Sequence, residues 1–149
     1  MFGKLRALGP QLSLSVMRIS VGEKMNNKIN HLERELKRFL DVDPVGLRRE
    51  LLNDLPTGWG IYLICMPNSD KSLYIGISSR LRGRIWSDLL GPSGAHTLKN
   101  KLRKNYGRKG NRAIEYLNRC SIRYMAGREN EVTTLEHFAI AVLEPQLND

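Results

Sequence analysis

Hydrophobic residues recur at two different periods along the chain, and the period changes near Pro56. Over residues 25–43, apolar side chains return every three or four positions among charged ones, which predicts an amphipathic helix. Pro44 ends that helix, because proline lacks the backbone N–H that a helix interior needs. Residues 45–52 are predicted to form a second, shorter helix.

In the second part of the chain the apolar positions alternate, which is typical of β-strands. The first two predicted strands are joined by the turn-forming segment MPNSDK. Strands are predicted over residues 60–65, 72–77 and 120–126. Helices are predicted from Ser78 or Ser79 to about Leu90, and over residues 97–106, 112–118 and 131–143, the last with Asn130 as its N-cap.

The first two strands carry Tyr62 and Tyr74 on the same face. A loop centred on Asn68 would place the two tyrosines directly opposite each other, and an even-numbered slip of the register would keep both on that face. The pattern predicts an α+β fold with a small, mainly antiparallel three-stranded sheet flanked by helices. We expect three segments, namely a basic and partly disordered arm, a helical extension and a globular domain, over residues 1–24, 25–57 and 58–149.

The chain of 149 residues has a formal net charge of +9. This excess predicts a polyanionic partner, with nucleic acid ahead of an anionic membrane surface. No apolar run approaches the ~20 residues that cross a bilayer, so we expect no membrane partner. Two cysteines without paired spacing fit a reducing cytoplasm, and the acid-free first 22 residues leave organelle targeting as an alternative.

The charge is concentrated between Lys71 and Arg128, where fourteen Lys and Arg stand against two acids, Asp88 and Glu115. A solvated helix face normally mixes both signs. The segment therefore predicts phosphate binding, without indicating any base sequence. We expect the contacts to come from Arg80, Arg82, Lys99, Lys101, Arg103, Lys104, Arg108 and Lys109.

One carboxylate occupies an apolar position in the last predicted helix. Glu136 has Val132 one turn before it and Ile140 one turn after it. Its charge faces desolvation unless a partner compensates for the lost water. One interpretation is an ion pair with an arginine, or a side chain that reaches solvent. The other is a ligand for a divalent cation, since Mg²⁺ often binds through one or two carboxylates plus water and phosphate.

Taken together, these residues resemble the GIY-YIG nuclease superfamily. Its two name-giving tripeptides match GIY at residues 60–62 and YIG at residues 74–76. Arg84 falls where the family keeps a catalytic arginine, Glu136 where it keeps a metal-binding glutamate, and Asn148 in the position of a late asparagine. The five features occur in the family's order.

The resemblance implies a metal-dependent endonuclease that hydrolyses phosphodiester bonds in DNA with one Mg²⁺ or Mn²⁺ per active site. It implies that Arg84 contacts the phosphate, that Glu136 holds the cation, and that Tyr62 and Tyr74 position or activate water. A phenol with an ordinary pKa of about 10 is a poor base at neutral pH, so metal and arginine would have to lower the pKa.

Two residues extend or depart from the family pattern. His96 leads the basic helix, as a histidine does in homing-endonuclease members, and it is a secondary candidate together with Asn148. A surface histidine or a helix cap is the alternative interpretation of His96. Many members have a lysine directly after the second tripeptide, where this chain has Ile77, so that lysine's phosphate contacts must be absent or come from Arg80 or Arg82.

DNA is the expected partner, with RNA as an alternative, and self-association to a homo-oligomer through the N-terminal helices is a further expectation. Two other functions stay open at this point. One is a non-catalytic nucleic-acid-binding module on the same fold. The other is an adaptor that binds a protein partner through the helices of residues 25–52.

Overall fold

The computed structural model describes residues 2–107 and 111–148, and over residues 2–19 it describes the backbone alone. The chain forms two compact units, Met1–Glu35 and Leu36–Asp149. Helix α1 (Phe2–Leu40) begins well before residue 25, where the sequence pattern placed its start. The three predicted segments stay predictions. No helix in the described part of the chain is both long and apolar enough to span a bilayer.

The second unit mixes helices with one sheet, so the α+β prediction is confirmed. A single turn of 3-10 helix, Arg49–Leu51, follows the first strand, and a π-helical segment, Arg84–Leu89, continues the second helix. The strands are β1 (Val45–Gly46), β2 (Gly60–Cys65), β3 (Ser72–Ser78) and β4 (Ser121–Ala126). The helices are α2 (Leu81–Gly83), α3 (Thr97–Tyr106), α4 (Arg112–Arg119) and α5 (Glu129–Leu143).

The sheet has four antiparallel strands in the order β1-β4-β2-β3, whereas three were predicted. The additional strand is β1, which lies where a short helix was predicted. Val45 pairs with Ile122, and the Leu47 amide continues the pairing by donating to the Cys120 carbonyl at 3.0 Å. The edge of β4 satisfies these backbone groups, so tertiary pairing overrides a weak local helix preference.

The hairpin register differs from the predicted one by two residues. Tyr62 pairs with Gly76, and Tyr74 pairs with Ile64. A bulge between Ile64 and Cys65 shifts the pairing before the turn, so the loop is not symmetric about Asn68. Because the slip is even, the two tyrosines stay on one face as diagonal neighbours.

Two hydrophobic cores lie on the two faces of the sheet. On one face, Tyr62 and Ile64 pack with the helices that follow the hairpin, through buried residues such as Leu81, Ile85 and Leu98. The opposite face is covered by the end of α1 and by α5. Strand β2 is buried along its whole length because it is central in the sheet and covered on both faces.

Two helix starts differ from prediction. The helix after the hairpin begins at Leu81, and Ser78 Oγ instead accepts the Arg80 amide at 3.0 Å in the connecting turn. Helix α5 begins at Glu129, so Asn130 lies inside its first turn and is not its N-cap. Both helices occur where the pattern predicts them, because the periodicity of apolar residues does not depend on the first residue of the helix.

Candidate active site

Three aromatic rings meet on one face of the hairpin. They belong to Tyr62 in β2, Tyr74 in β3 and His96, which directly precedes α3. The ring centroids of the two tyrosines are 6.1 Å apart, and the His96 ring is 6.0 Å from that of Tyr62 and 5.6 Å from that of Tyr74. The tyrosines that the alternation placed on one face therefore form a cluster with a residue from a different element.

Gly76 provides the space in which the Tyr62 ring lies. A Cβ atom at Gly76 would sit 2.6 Å from Cζ and 2.9 Å from Cε1 of Tyr62, and it would also meet the hydroxyl oxygen. These distances are far below the 3.4–4 Å of ordinary van der Waals contact. The glycine of the second tripeptide thus sets the position of the tyrosine of the first.

His96 is both a helix cap and a partner of Tyr62. Its side chain is 1% exposed, its Nδ1 accepts the Leu98 amide at 3.0 Å as the N-cap of α3, and its Nε2 lies 2.7 Å from Tyr62 Oη. Burial, followed by the charge of Arg84, lowers the pKa of His96 to about 3, so the ring is neutral near pH 7. Since Nδ1 accepts, the single ring proton lies on Nε2 and is donated to Tyr62.

Both tyrosines are protonated at neutral pH in this structure. Burial raises the pKa of Tyr62 and that of Tyr74, while the charge of Arg84 opposes the rise at both phenols. A hydrogen bond with Thr97 also lowers the pKa of Tyr74. The sequence argument required Arg84 to depress the phenol pKa, and its effect has that sign but is smaller than the effect of burial.

Arg84 begins the π-helical segment and points toward the ring cluster. Its Nη1 donates to the Ala95 carbonyl at 3.0 Å and to Asp88 Oδ2 at 3.3 Å. The π geometry is marked by the Leu90 amide, which donates to the Ile85 carbonyl at 3.0 Å, and such segments often occur at functional sites. The side chain is 28% exposed, so its charge is accessible to a phosphate.

The charge of Glu136, in α5, acts on the same two tyrosines. Helix α5 covers the second core, yet the negative charge of Glu136 raises the pKa of both Tyr62 and Tyr74. Its side chain is 18% exposed, and burial raises the pKa of its carboxyl, with His137 opposing the rise. His137 Nε2 lies 3.9 Å from Glu136 Oε1 and its side chain is 75% exposed. The carboxylate is therefore poorly compensated where it stands.

A metal on Glu136 would take few protein ligands. Among residues 2–107 and 111–148, no three His, Cys, Asp or Glu side chains lie close enough together to hold an ion by themselves. A hard cation such as Mg²⁺ accepts one carboxylate and completes its shell with water and phosphate. A half-buried, poorly compensated carboxylate whose charge acts on both phenols fits that kind of ion.

Asn148 has a structural partner instead of a place in the ring cluster. Its Oδ1 accepts the Ile75 amide at 2.8 Å and its Nδ2 donates to the Ile75 carbonyl at 2.7 Å. The Gln146 and Leu147 amides donate to the Ser72 and Leu73 carbonyls at 3.1 and 2.9 Å. The C-terminal tail thereby covers the open edge of β3 and fixes the strand that carries Tyr74.

The predicted phosphate-binding residues divide into three groups. Arg80 and Lys104 are exposed. Arg108 and Lys109 lie outside the described residues. The remaining four donate to carbonyls of the protein itself, at 3.2, 2.6, 2.7 and 3.5 Å: Arg82 to Asn53, Lys99 to Gly91, Lys101 to Leu147 and Arg103 to Pro92.

Lys99 corrects the sequence prediction. The side chain is 0% exposed, and burial is the main cause of its lowered pKa. It occupies the face of α3 that also buries Leu98 and Leu102, so it anchors the preceding loop and is not available to DNA. The many basic residues of this helix made its buried face hard to recognise from the sequence, because Lys and Arg are rarely buried without a partner.

Ile77 packs against the second core, on the face opposite to the tyrosines. A lysine there would point away from the ring cluster in this register. The exposed Arg80 is the better candidate for an added phosphate contact, because Arg82 is held by the Asn53 carbonyl.

Sequence reasoning missed three functional neighbours. Asp88 contacts Arg84, Thr97 contacts Tyr74, and Gly76 leaves space for the Tyr62 ring, and none of the three was singled out for these roles. The i,i+4 spacing of Arg84 and Asp88 was a usable signal. The other two depend on the register and on a long loop.

A comparison with protein families gives one match. The family model described as GIY-YIG catalytic domain matches residues 58–143, which is more than half of the chain. The matched range includes both tyrosines, Arg84 and Glu136, and it ends before Asn148. No curated protein and no solved structure matches the chain.

Proposed function

The chain belongs to the GIY-YIG nuclease family, and from this membership and the site geometry we propose that it is a metal-dependent endonuclease that hydrolyses phosphodiester bonds in DNA. The observation that carries the proposal is the convergence of two charges on one pair of phenols, of which Tyr62 is buried and Tyr74 partly buried. Arg84 lowers and Glu136 raises the pKa of both Tyr62 and Tyr74. Four side chains from four elements thus act on a single small volume.

The proposed reaction makes clear demands on these side chains. Water attacks phosphorus, a P–O ester bond breaks, the attacking water loses a proton, and negative charge builds on the phosphate and the leaving oxygen. Arg84 would contact the phosphate, since a guanidinium offers a fixed charge and two directional donors. The Nη1 atom now bonded to Asp88 and Ala95 would exchange part of this bonding for phosphate oxygen.

Tyr62 would position the attacking water. Its oxygen accepts from His96 Nε2, which leaves the phenol proton to be donated elsewhere. The raised pKa keeps the Tyr62 phenol protonated, so Tyr62 can act as a base only after it has lost that proton. The N–H of His96 would then stabilise the phenolate. Tyr74, held by Thr97, would orient water or a phosphate oxygen from the neighbouring position.

Glu136 would hold the divalent cation, Mg²⁺ or Mn²⁺. When bound, such an ion supplies positive charge that stabilises the phosphate and the leaving oxygen. The carboxylate must be ionised to act as a ligand, and its raised pKa makes that ionisation harder in the metal-free protein. Removing this group should therefore abolish activity without weakening the fold.

Plasmid cleavage tests the proposal. Supercoiled DNA is incubated with wild type, Glu136→Ala and Glu131→Ala, with Mg²⁺, with Mn²⁺ and with EDTA. Glu131 is an exposed glutamate of the same helix and serves as the matched control. Nicked or linear product is expected from wild type and Glu131→Ala, with metal only. Absence of cleavage by wild type, or equal cleavage by Glu136→Ala, refutes the proposal, and tight binding without cleavage indicates a non-catalytic module.

A further inference from the structure

A second aromatic cluster lies away from the candidate active site. Tyr106, the last residue of α3, and Tyr116 of α4 have ring centroids 5.3 Å apart with an interplanar angle of 31°. Tyr106 is 44% exposed, which is a large exposed fraction for an aromatic ring. Tyr116 thus packs against Tyr106, and the Tyr106 ring is partly exposed to solvent.

Arg119 links this aromatic pair to an adjacent groove. Its guanidinium carbon lies 5.6 Å from the centroid of the Tyr116 ring, within the range of a cation–π contact. The same side chain lines a groove of about 440 Å³. The groove carries a second cation, Arg48, and mixes polar and apolar surface, with the lining residues Gly46, Arg48, Pro67, Asn68, Ser69, Asn118, Arg119, Cys120 and Ser121.

The surroundings are positively charged. Lys104, Arg112 and Arg119 are exposed on α3 and α4, and Arg48 is exposed at the groove. Glu115 is the acid of α4. An aromatic pair beside a cationic groove offers a π-face and charge together, which is how proteins bind single-stranded nucleic acid without reading its sequence.

We propose that Tyr106, Tyr116, Arg119 and the groove bind an unpaired nucleotide of single-stranded DNA. The base stacks on the exposed ring of Tyr106, and the neighbouring phosphate lies in the groove between Arg48 and Arg119. A duplex does not offer the base face, because its bases are stacked on each other. The inference rests on the proposed function in one respect, that the partner is DNA.

Helix α3 connects this surface with the candidate active site. His96 caps its first turn and Tyr106 is its last residue, and ten residues of α-helix extend about 15 Å. One strand that contacts Tyr106 would thus extend to the rings of Tyr62 and Tyr74. The preferred substrate would be DNA in which duplex and single strand adjoin.

Binding in EDTA tests the proposal without requiring cleavage. Fluorescence anisotropy measures Kd for a labelled single-stranded oligonucleotide and for the same sequence as a duplex, with wild type, Tyr106→Leu and Tyr106→Phe. Phenylalanine keeps the ring and leucine removes it. Stacking by one base contributes about 1–3 kcal/mol, so Tyr106→Leu should weaken single-strand binding at least roughly fivefold, with duplex binding unchanged. Tyr106→Phe should bind both DNAs like wild type.

A second variant tests the groove. Arg48→Gln should reduce the slope of log K against log salt by roughly 0.7 for the single strand, the value for one phosphate contact. Equal single-strand affinity of wild type and Tyr106→Leu, or an equal loss for single strand and duplex, overturns the proposal. Thermal melting of each variant shows whether it is folded. Wild-type plasmid cleavage reports on the proposed function separately, since binding in EDTA can succeed where cleavage fails.

Discussion

Replacing Gly76 with alanine places one methyl group against the ring of Tyr62. The new carbon would lie 2.6 Å from Cζ and 2.9 Å from Cε1, where ordinary contact begins at 3.4 Å. The ring must therefore move by roughly 1 Å. The Tyr62 oxygen is held 2.7 Å from His96 Nε2, so a movement of that size stretches or breaks a buried hydrogen bond.

Overpacking a well-packed site costs about 1–3 kcal/mol, and a misplacement of about 1 Å at a catalytic group can cost roughly 100-fold in rate. Gly76→Ala should therefore lower the free energy of unfolding by that amount and the cleavage rate by about two orders of magnitude. Urea denaturation followed by circular dichroism gives the first quantity, and single-turnover cleavage of a labelled DNA gives the second.

Gly58→Ala is the matched control, because a Cβ atom at Gly58 meets nothing within 4 Å and the residue precedes β2, the strand that carries Tyr62. It should leave both quantities unchanged. In a Tyr62→Ala background, Gly76→Ala should cost almost no further stability, since the clashing ring is gone. Wild-type rate and stability for Gly76→Ala, or an undiminished penalty in the Tyr62→Ala background, would refute this explanation of the glycine.

Four further predictions follow from the same contacts. His96→Ala should lose both the helix cap and the hydrogen bond to Tyr62, and loss of the cap should lower stability by about 1 kcal/mol. His96→Asn should keep the cap and still lower the cleavage rate roughly tenfold or more. Melting curves and cleavage rates separate the two roles. Lys104→Ala should lower the salt slope of duplex binding by roughly 0.9, while the buried Lys99→Met should leave it unchanged, and a titration from low to high salt decides between them. Asn148→Asp removes the donor to the β3 backbone and should destabilise the fold by about 1–3 kcal/mol by urea denaturation, with little effect on the rate of the folded protein. Burial raises the pKa of Glu136, so its carboxylate becomes protonated at a higher pH than an ordinary glutamate. As pH falls, the Mg²⁺ concentration that gives the half-maximal rate should therefore begin to rise at that higher pH. Rates measured against Mg²⁺ concentration at several pH values test this.

Local pattern was sufficient for much of the fold. Alternation placed Tyr62 and Tyr74 on one face, and helical periodicity identified the helix after the hairpin, which buries Leu81, Ile85 and Leu89. Both inferences depend on the position of the side chain within its own element. They were correct even though the hairpin register and the helix starts were not.

Long-range contacts determine the features of the fold that the sequence pattern did not predict. The partner of Tyr62 is Gly76 and not Tyr74, and a bulge between Ile64 and Cys65 accounts for one residue of this two-residue shift. Nothing in the loop sequence specifies that bulge. Strand β1 forms only because β4 offers an edge to it. The sequence pattern around β1 carries no information about β4, and the pattern around β4 carries none about β1.

In the candidate site, too, some residues could be identified from the sequence and others depend on long-range contacts. Glu136 could be selected from its apolar position and Arg84 from the family resemblance, but the burial of His96 and Lys99 depends on a loop that folds back over the π-helical segment. Lysine is mostly exposed, so DNA binding was the prediction for Lys99, and His96 was a secondary candidate with a surface or helix-cap role as the alternative. The structure assigns one to the ring cluster and the other to the protein interior.

The single-turnover cleavage rate of Glu136→Gln tests the central claim most directly, with Glu131→Gln as control and DNA binding measured on the same samples. The variant keeps the size of the side chain and removes the charge that would hold the cation. Because a bound cation contributes several kcal/mol to charge stabilisation, the rate should fall roughly 100-fold or more, with DNA affinity and melting temperature no lower than in wild type. A rate equal to that of wild type would contradict the assignment of this cluster as the catalytic centre.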